Sequence, residues 1–550
     1  MDYELKTPGG PDSSERVFIR QSTGLVRAVG AREALIYNCM ITTIVLGAAL
    51  TFLLAPYAYP HANLWLGVLI AGVFTAVMMV AYAIMSSAMP RSGADYLFQT
   101  RLVHPIVAFA LAVSYFLVWL PFWEALGGWL LAVVGIAPFA SVIGTNQHVH
   151  WLTSFGTWAG TPWGITVISL VAFAVVFVVL LYGSRLFMRI QWVLWVLLLI
   201  SFLVTWVLLL SHGHTSFVHT FNHYMSKVSG KADYYGYVIA AAHKSGLGNI
   251  SGFSLGDTLG VAPVVWTALP WSYWIIANAG EMRGARRLSN MLGSMLGATA
   301  LNVILIMVTA ILLVHSLGTQ FLVSLGYLYY SGSSALASLP AAPFYGVITS
   351  LLSSSPIIIA LLGLGFVATG IQILFGMAWG GSRTILSLAI DRMLPERLGD
   401  VNTRQGVPVK AIALFMAISV VWVYLYNHTV VSKYTLAVTL TSTLLYMGSM
   451  AAAIVFPYKA RQLYKTSPAA RFKILGIPLV TAVGVIAFAF NGLMVYYYLS
   501  NSSLGVNDGK SLAIVGGAIV ATVAYYLVRR WWLRRHSFDP ALVFSVIPPE

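Results

Sequence analysis

Two stretches place polar side chains and helix-breaking signals inside runs apolar enough to cross a membrane. The first is YNCMITTIVLG, residues 37–47, where Asn38, Thr42 and Thr43 interrupt apolar surroundings. Adjacent threonines favour alternatives to an ideal helix, because their hydroxyls bond backbone carbonyls a turn earlier. The second is WTALPWSYWIIANAGEMRGARR, residues 266–287. Pro270 lacks an N–H and its ring collides with the preceding turn, so the helix is expected to open around Leu269 to Tyr273, with Trp271, Ser272 and Tyr273 lining the gap. Backbone can leave the helix at membrane depth only where it is buried in protein or lines a wet cavity. Two such breaks would turn freed amides and carbonyls toward a solute. The simpler alternatives are a proline kink in the second stretch and ordinary interhelical threonine contacts in the first.

Glu124 is the outstanding ionisable residue inside an apolar run. It follows Pro121 and lies roughly 7 Å outward of its segment's midpoint at 1.5 Å per residue. A carboxyl at that depth is costly when ionised and is a candidate for proton exchange. The alternatives are a carboxyl facing an outer vestibule and a structural pair. Glu33 and Glu281 stand beside Arg32 and Arg283 at helix ends and read as structural or inner-gate ion pairs. HGHTSFVHTFNHY, residues 212–224, carries four histidines. If helical, it would put His219 and His223 on one face. With no cysteine or carboxylate nearby it reads as a solvated loop, so no metal and no cofactor is assigned.

These residues need long apolar elements to hold them. The 550-residue chain is 59% hydrophobic and 9% charged, whereas charge makes up about a quarter of a soluble domain. Its partner is the lipid bilayer. Runs of about 20 apolar residues, each able to cross roughly 30 Å of hydrocarbon, number twelve. In order, spans 1 to 12 cover 34–54, 64–88, 105–134, 164–182, 187–210, 262–280, 290–316, 356–388, 409–427, 433–457, 474–499 and 511–533. Residues 1–32 are polar, without a signal-type apolar core, so the first span is expected to be permanent. With both termini cytoplasmic, 26 of the 31 Lys and Arg fall on the inner side, leaving Lys227, Lys231, Lys244, Lys433 and Lys510 outside. The net charge of +15 is therefore read as topology and not as a nucleic-acid surface, because the basic residues form short groups between spans. The lone Cys39 permits no internal disulfide. There is no GxxxxGK[ST] for a pump, no repeated pore ring for a channel and no catalytic constellation for a membrane enzyme, so an enzyme is the disfavoured class.

Four stretches resemble the amino acid/polyamine/organocation permeases. MPRSGADYLFQTRLVHP, residues 89–105, is similar to the family segment after span 2, through Pro90, Gly93, Ala94 and Tyr96. AGEMRGARR, residues 279–287, resembles the Gly-Glu plus basic run that closes span 6. SRTILSLAIDRMLPERLGDVNTRQGVP, residues 382–408, resembles the segment after span 8. VRAVGAREALIYN, residues 26–38, resembles the approach to span 1. The resemblance implies an all-α polytopic fold of twelve helices of the leucine-transporter type. Spans 1–5 and 6–10 would form a five-plus-five inverted repeat with discontinuous spans 1 and 6. It divides the chain into an N-terminal cytoplasmic segment 1–33, a transport core 34–457, peripheral spans 11–12 in 458–533 and a cytoplasmic tail 534–550.

It further implies a substrate held between the breaks of spans 1 and 6, which by position correspond to Met40, Ile41, Thr42 and Thr43 and to Trp271, Ser272 and Tyr273. An amino acid presents a carboxylate suited to half-helix N-termini and an ammonium suited to unwound carbonyls. Tyr273 or Trp274 would supply the aromatic lid or gate, with Tyr115 on span 3 and Thr369 on span 8 as pocket walls. Glycines usual in the span 1 break are absent, and Ala94 and Trp271 stand where glycine is often seen. Span 5 carries no lysine, which argues against a lysine-based proton mechanism. The resulting expectation is a secondary transporter of amino acids or related small amines, with coupling to protons through Glu124. The alternative is an amino acid/polyamine exchanger without ion coupling.

Overall fold

The computed structural model describes residues 24–402 and 404–546. Among them eleven helices are long and apolar enough to cross a membrane. Their ends follow the apolar runs closely, as in Leu64–Ala88, Leu288–Leu317, Val409–His428 and Gly509–Arg535. Polar caps account for several starts. The Asn63 side chain accepts from the Leu66 N–H, Thr161 from Gly164, and Asp508 from Lys510 and Ser511. Span 1 is not among the eleven because it is split into two half-helices, Ala31–Ile41 and Ile44–Ala58.

Two spans run longer than the sequence suggests. Span 3 continues from Pro105 to Asn146, past the expected end at residue 134, because Pro121 and Pro138 do not terminate it. Each proline sits in the first turn of an α segment that follows a π-helical one, Tyr115–Trp119 and Leu130–Ile136 respectively. The wider π turn makes room for a ring that would otherwise strike the carbonyl four residues back. Span 6 begins at Leu255, seven residues early, with Ser254 capping the Asp257 N–H.

Span 6 is the axis of the molecule. Its most apolar window is 94% buried, against 22% for span 12 at the rim. The first half-helix of span 1, Ala31–Ile41, packs on span 6 and on span 7, span 2 lies along span 7, span 5 along span 8, and span 10 along span 11. Span 11 is less peripheral than expected. Its Asn491 Oδ1 accepts from Trp266 Nε1 of span 6, and Tyr498 donates its hydroxyl to the Pro263 carbonyl.

The histidine stretch is a helix, His214–Ser229, and not a loop. Phe217, Phe221 and Met225 recur at four-residue spacing and are buried, Phe217 against Tyr235 and Phe321, and Phe221 against Phe321. That apolar stripe outweighs the polar composition that had suggested a loop. His219 and His223 stay on its exposed face. Among the described residues no group of three or more His, Cys, Asp or Glu is arranged to hold a metal ion. The only strands among them are the pairs Lys473–Ile474 and Ile477–Pro478, which form an antiparallel clip between spans 10 and 11.

Candidate functional site

The break in span 1 falls at Thr42–Thr43. Thr43 lies in the left-handed region at φ 47° and ψ 57°, a conformation that costs a β-branched residue about 1–2 kcal/mol. The surroundings compensate. The Thr42 hydroxyl donates to the Cys39 carbonyl at 2.6 Å and accepts from Asn302 Nδ2 of span 7 at 2.9 Å. A side chain one turn back thus takes a carbonyl that the interrupted helix leaves free. Asn38 reaches the other way, its Oδ1 accepting the main-chain N–H of Ile275 in span 6 at 2.9 Å.

Span 6 opens earlier than Pro270 suggests. The α-helix ends at Val265, residues 266–268 form a turn, and a 3-10 segment runs from Leu269 to Glu281. Trp271, Ser272 and Tyr273 therefore lie within the second half-helix and not in the gap. The reason is that Pro270 occupies the first turn of that half-helix, where a missing N–H is harmless. The opening itself is fixed from span 11, through the Asn491 bond to Trp266. The two breaks adjoin. A methyl added to Gly47, in the first turn of Ile44–Ala58, would come 2.6 Å from Ala268 Cβ. Neither half-helix start, at Ile44 or at Leu269, is capped by a side chain.

Aromatic rings close around this junction. Trp271 and Trp274 meet edge to face with centroids 5.2 Å apart, Tyr115 lies 6.1 Å from Trp271, and Tyr273 stacks on Tyr82 of span 2 at 4.3 Å. Trp274 is anchored to span 8: its Nε1 donates to the Gly376 carbonyl at 3.1 Å, which also accepts from Tyr37 at 3.1 Å. Only a glycine at 380 leaves room for the Trp274 indole, since a Cβ there would lie 2.7 Å from three of its ring atoms. Ile41 faces Gly376 in the same way. Met40, Ile41, Thr42, Thr43, Tyr115, Trp271, Ser272, Tyr273, Trp274 and Thr369 are all at most 3% exposed, so the junction is sealed from bulk water.

Two expected members make no polar contact with this cluster. The Thr369 hydroxyl is taken by the Gly365 carbonyl of its own helix. Glu124 lies on the α-helical stretch Leu120–Trp129, which packs on spans 4, 8 and 9. It neither faces a vestibule nor pairs. It is 0% exposed, and neither carboxylate oxygen has a hydrogen-bond partner among the described residues.

Asp95, not singled out by its type or spacing, reaches the site directly. It sits in the link between spans 2 and 3, just after Gly93 at φ 114° and Ala94 at φ 49°. That left-handed pair turns the carboxylate inward, and a Cβ on Gly93 would strike Ser387 Oγ at 2.5 Å. Asp95 Oδ1 accepts from Tyr82 and from Ser449 of span 10, each at 2.6 Å, and Oδ2 accepts from Tyr273 at 2.9 Å. Burial pushes its carboxyl above the usual carboxylate range, and the hydroxyls of Ser449, Tyr82 and Tyr273 pull it part of the way back. An acidic residue within a segment that otherwise turns on glycine and tyrosine was the available signal.

The end of the bundle that carries Val29 and Glu281 is closed by polar contacts. Val29 pairs with the end of span 6, donating to the Glu281 carbonyl at 3.0 Å and accepting from the Arg283 N–H at 2.8 Å. Glu281 pairs with Arg383 of span 8 and not with Arg283. Arg383 Nε meets Glu281 Oε1 at 2.6 Å with both side chains 2% exposed, and Trp379 Nε1 donates to the same oxygen at 3.2 Å. Arg283 instead donates to the Ala28 carbonyl. A second buried pair, Arg101 with Asp391 at 2.7 Å, ties the span 2–3 link to the end of span 8, with the Tyr96 hydroxyl on the same carboxylate.

The sequence model of the amino acid permease family matches residues 34–523. No curated protein matches the chain.

Proposed function

The chain belongs to the amino acid permease family, and on that premise we propose that it is a secondary transporter moving amino acids or related small amines by alternating access. The single observation that carries the reading is the adjoining pair of helix breaks at Thr42–Thr43 and Trp266–Ala268, whose two uncapped half-helix starts meet inside the protein. Half-helix N-termini present N–H groups and the positive end of the helix dipole, which suits a carboxylate. Carbonyls released by the breaks suit an ammonium. No side-chain charge is needed at the junction, and none stands on the break residues themselves.

In this proposal spans 1–5 and 6–10 are inverted repeats, the split span 1 is the twelfth crossing, and both chain ends lie in the cytoplasm. The conformation described is closed on the inner side, through the Val29 clip and the Glu281–Arg383 pair. Trp271, Trp274 and Tyr115 fill the junction, so substrate entry requires these rings to swing aside. Bulky Trp271 favours a compact solute or a markedly reshaped pocket. Met40 to Thr43 and Trp271 to Tyr273 line the pocket, Tyr115 and Thr369 are its walls, Trp274 gates it, and Glu124 exchanges the coupled proton.

Uptake into proteoliposomes of a panel of labelled amino acids and amines, with and without an inwardly directed proton gradient, tests the proposal. At least one solute is expected to accumulate, faster with the gradient, and Glu124→Gln to remove that stimulation. Stimulation that survives in Glu124→Gln removes Glu124 from coupling. Exchange that ignores the gradient in the unaltered protein favours the exchanger, and failure to move any member of the panel overturns the substrate class.

A further inference from the structure

We propose that Asp95 is a proton-binding site of the transport cycle, independent of Glu124, and that its protonation governs the contact of span 6 with spans 2 and 10. This rests on the transporter reading above. The carboxylate is 0% exposed and is held by three hydroxyls, from Tyr82, Tyr273 and Ser449, with no cation beside it among the described residues. Each hydroxyl comes from a different span, so one carboxyl joins spans 2, 6 and 10. One of them, Tyr273, is also a neighbour of Trp274 in the aromatic cluster, with ring centroids 5.9 Å apart.

The surroundings of Asp95 leave it as the group that changes charge. The titratable side chains acting on it are phenols: Tyr82 of span 2, Tyr115 of span 3, and Tyr273 and Tyr446 of spans 6 and 10. Their ordinary values near 10 keep them neutral over the working range. On span 8, which packs on the same link, Arg383 is engaged by Glu281 and Asp391 by Arg101. A buried carboxylate without a counter-charge is expensive, and hydroxyl donors offset only part of that expense.

Hydrogen-bond arithmetic then supplies the switch. An ionised carboxylate is an acceptor at both oxygens, and all three hydroxyls can donate to it. Addition of one proton from the medium turns one oxygen into a donor. If that oxygen is Oδ2, two O–H groups face each other across the 2.9 Å contact with Tyr273. The phenol must then turn its own proton away and become the acceptor, or leave. If it is Oδ1, Tyr82 or Ser449 must do so. Protonation therefore loosens or reverses one of three ties between spans, and release of the proton restores it. The left-handed Gly93–Ala94 turn that aims the carboxylate is a strained feature of the kind retained where geometry serves function.

The test compares the unaltered protein with Asp95→Asn, Asp95→Glu and Glu124→Gln in proteoliposomes, using a solute identified in the uptake panel. Two assays are run: accumulation under an inward gradient of one pH unit, and counterflow of the same solute at equal pH. One proton per solute allows about tenfold accumulation for such a gradient. Asp95→Asn is expected to abolish that accumulation while keeping counterflow within about threefold, since only the proton step is removed. Asp95→Glu is expected to retain accumulation with a displaced pH profile. Accumulation by Asp95→Asn equal to the unaltered protein overturns the proposal, and so does loss of counterflow in both Asp95 variants, which marks a purely structural group. If no solute moves in the unaltered protein, the transporter reading falls. Infrared titration of a protonated-carboxyl band, present in Glu124→Gln and absent in the double variant Glu124→Gln/Asp95→Asn, then still decides whether Asp95 binds a proton.

Discussion

Removing the charge of Glu281 tests the inner closure most sharply. Glu281→Gln keeps an oxygen for Trp379 Nε1 but leaves Arg383, 2% exposed, without its carboxylate at 2.6 Å. Among the described residues the guanidinium then keeps its hydrogen bond to the Ser382 hydroxyl at 3.0 Å. Breaking a buried pair from one side costs about 3–5 kcal/mol, much of it the burden of the stranded charge. Because glutamine preserves shape and one acceptor, the lower end applies, about 3 kcal/mol, or roughly 150-fold in the open-to-closed ratio at 1.4 kcal/mol per decade. Cys39 is the only cysteine, so a Cys39→Ser background with a reporter cysteine at Ser272 gives a clean readout. Alkylation of the reporter from the inner face by an impermeant maleimide should quicken by about that factor in Glu281→Gln. Arg383→Gln alone should quicken it as well, since it strands the buried Glu281 carboxylate with Trp379 Nε1 as its remaining donor. The double variant Glu281→Gln/Arg383→Gln should recover most of the protection, because neither charge remains buried. A coupling energy from the four rates below about 0.5 kcal/mol is what independent sites show, and it would refute the idea that this pair holds the inner side closed.

Three further outcomes follow from the same geometry. Gly380→Ala gains about 1 kcal/mol of helix propensity but drives a methyl to 2.7 Å from a rigid indole, an overpacking cost of about 1–3 kcal/mol, so its melting temperature should fall and its uptake slow. An increase in melting temperature would show that Trp274 is not seated there. Thr42→Val should lower stability by about 1–3 kcal/mol, because Asn302 Nδ2 loses its best acceptor in a buried site, while Thr42→Ser should restore it; equal melting of all three proteins contradicts the role given to that hydroxyl. The raised carboxyl of Asp95 makes the folded protein hold a proton more tightly than the unfolded chain does. The stability from this source is complete below the ordinary carboxylate value of about 3.9 and is lost as pH rises through the folded value. Melting temperature in detergent should therefore decline more steeply with rising pH in the unaltered protein than in Asp95→Asn, and parallel slopes would contradict the buried, unpaired carboxyl.

The sequence by itself determined which segments form helices long and apolar enough to cross a membrane, eleven of them among the described residues, since that depends on the length of local apolar runs against a bilayer of constant thickness. For the span 1 break the family resemblance pointed to Met40 to Thr43, while Thr42 and Thr43 taken alone fitted ordinary interhelical contacts equally; the interruption between Ile41 and Ile44 lies at the end of that range. The sequence indicated that span 6 is broken but put the opening four residues or so too late. A proline marks the first turn of a half-helix as readily as a gap, and the choice was made by Asn491, 225 positions away from the Trp266 it holds. The same limit hid the partner of Glu281. A neighbouring Arg283 is obvious along the chain, yet Arg383 lies 102 positions on and shares a dry interior with it. Asp95 passed unnoticed for the like reason that its hydroxyl donors come from three spans, Ser449 being 354 positions distant. Local pattern specifies helix ends and weak points. Which buried polar groups meet is decided only when the helices pack, because a hydrogen bond is directional and short, and spacing along the chain says nothing about which sides of distant spans face each other.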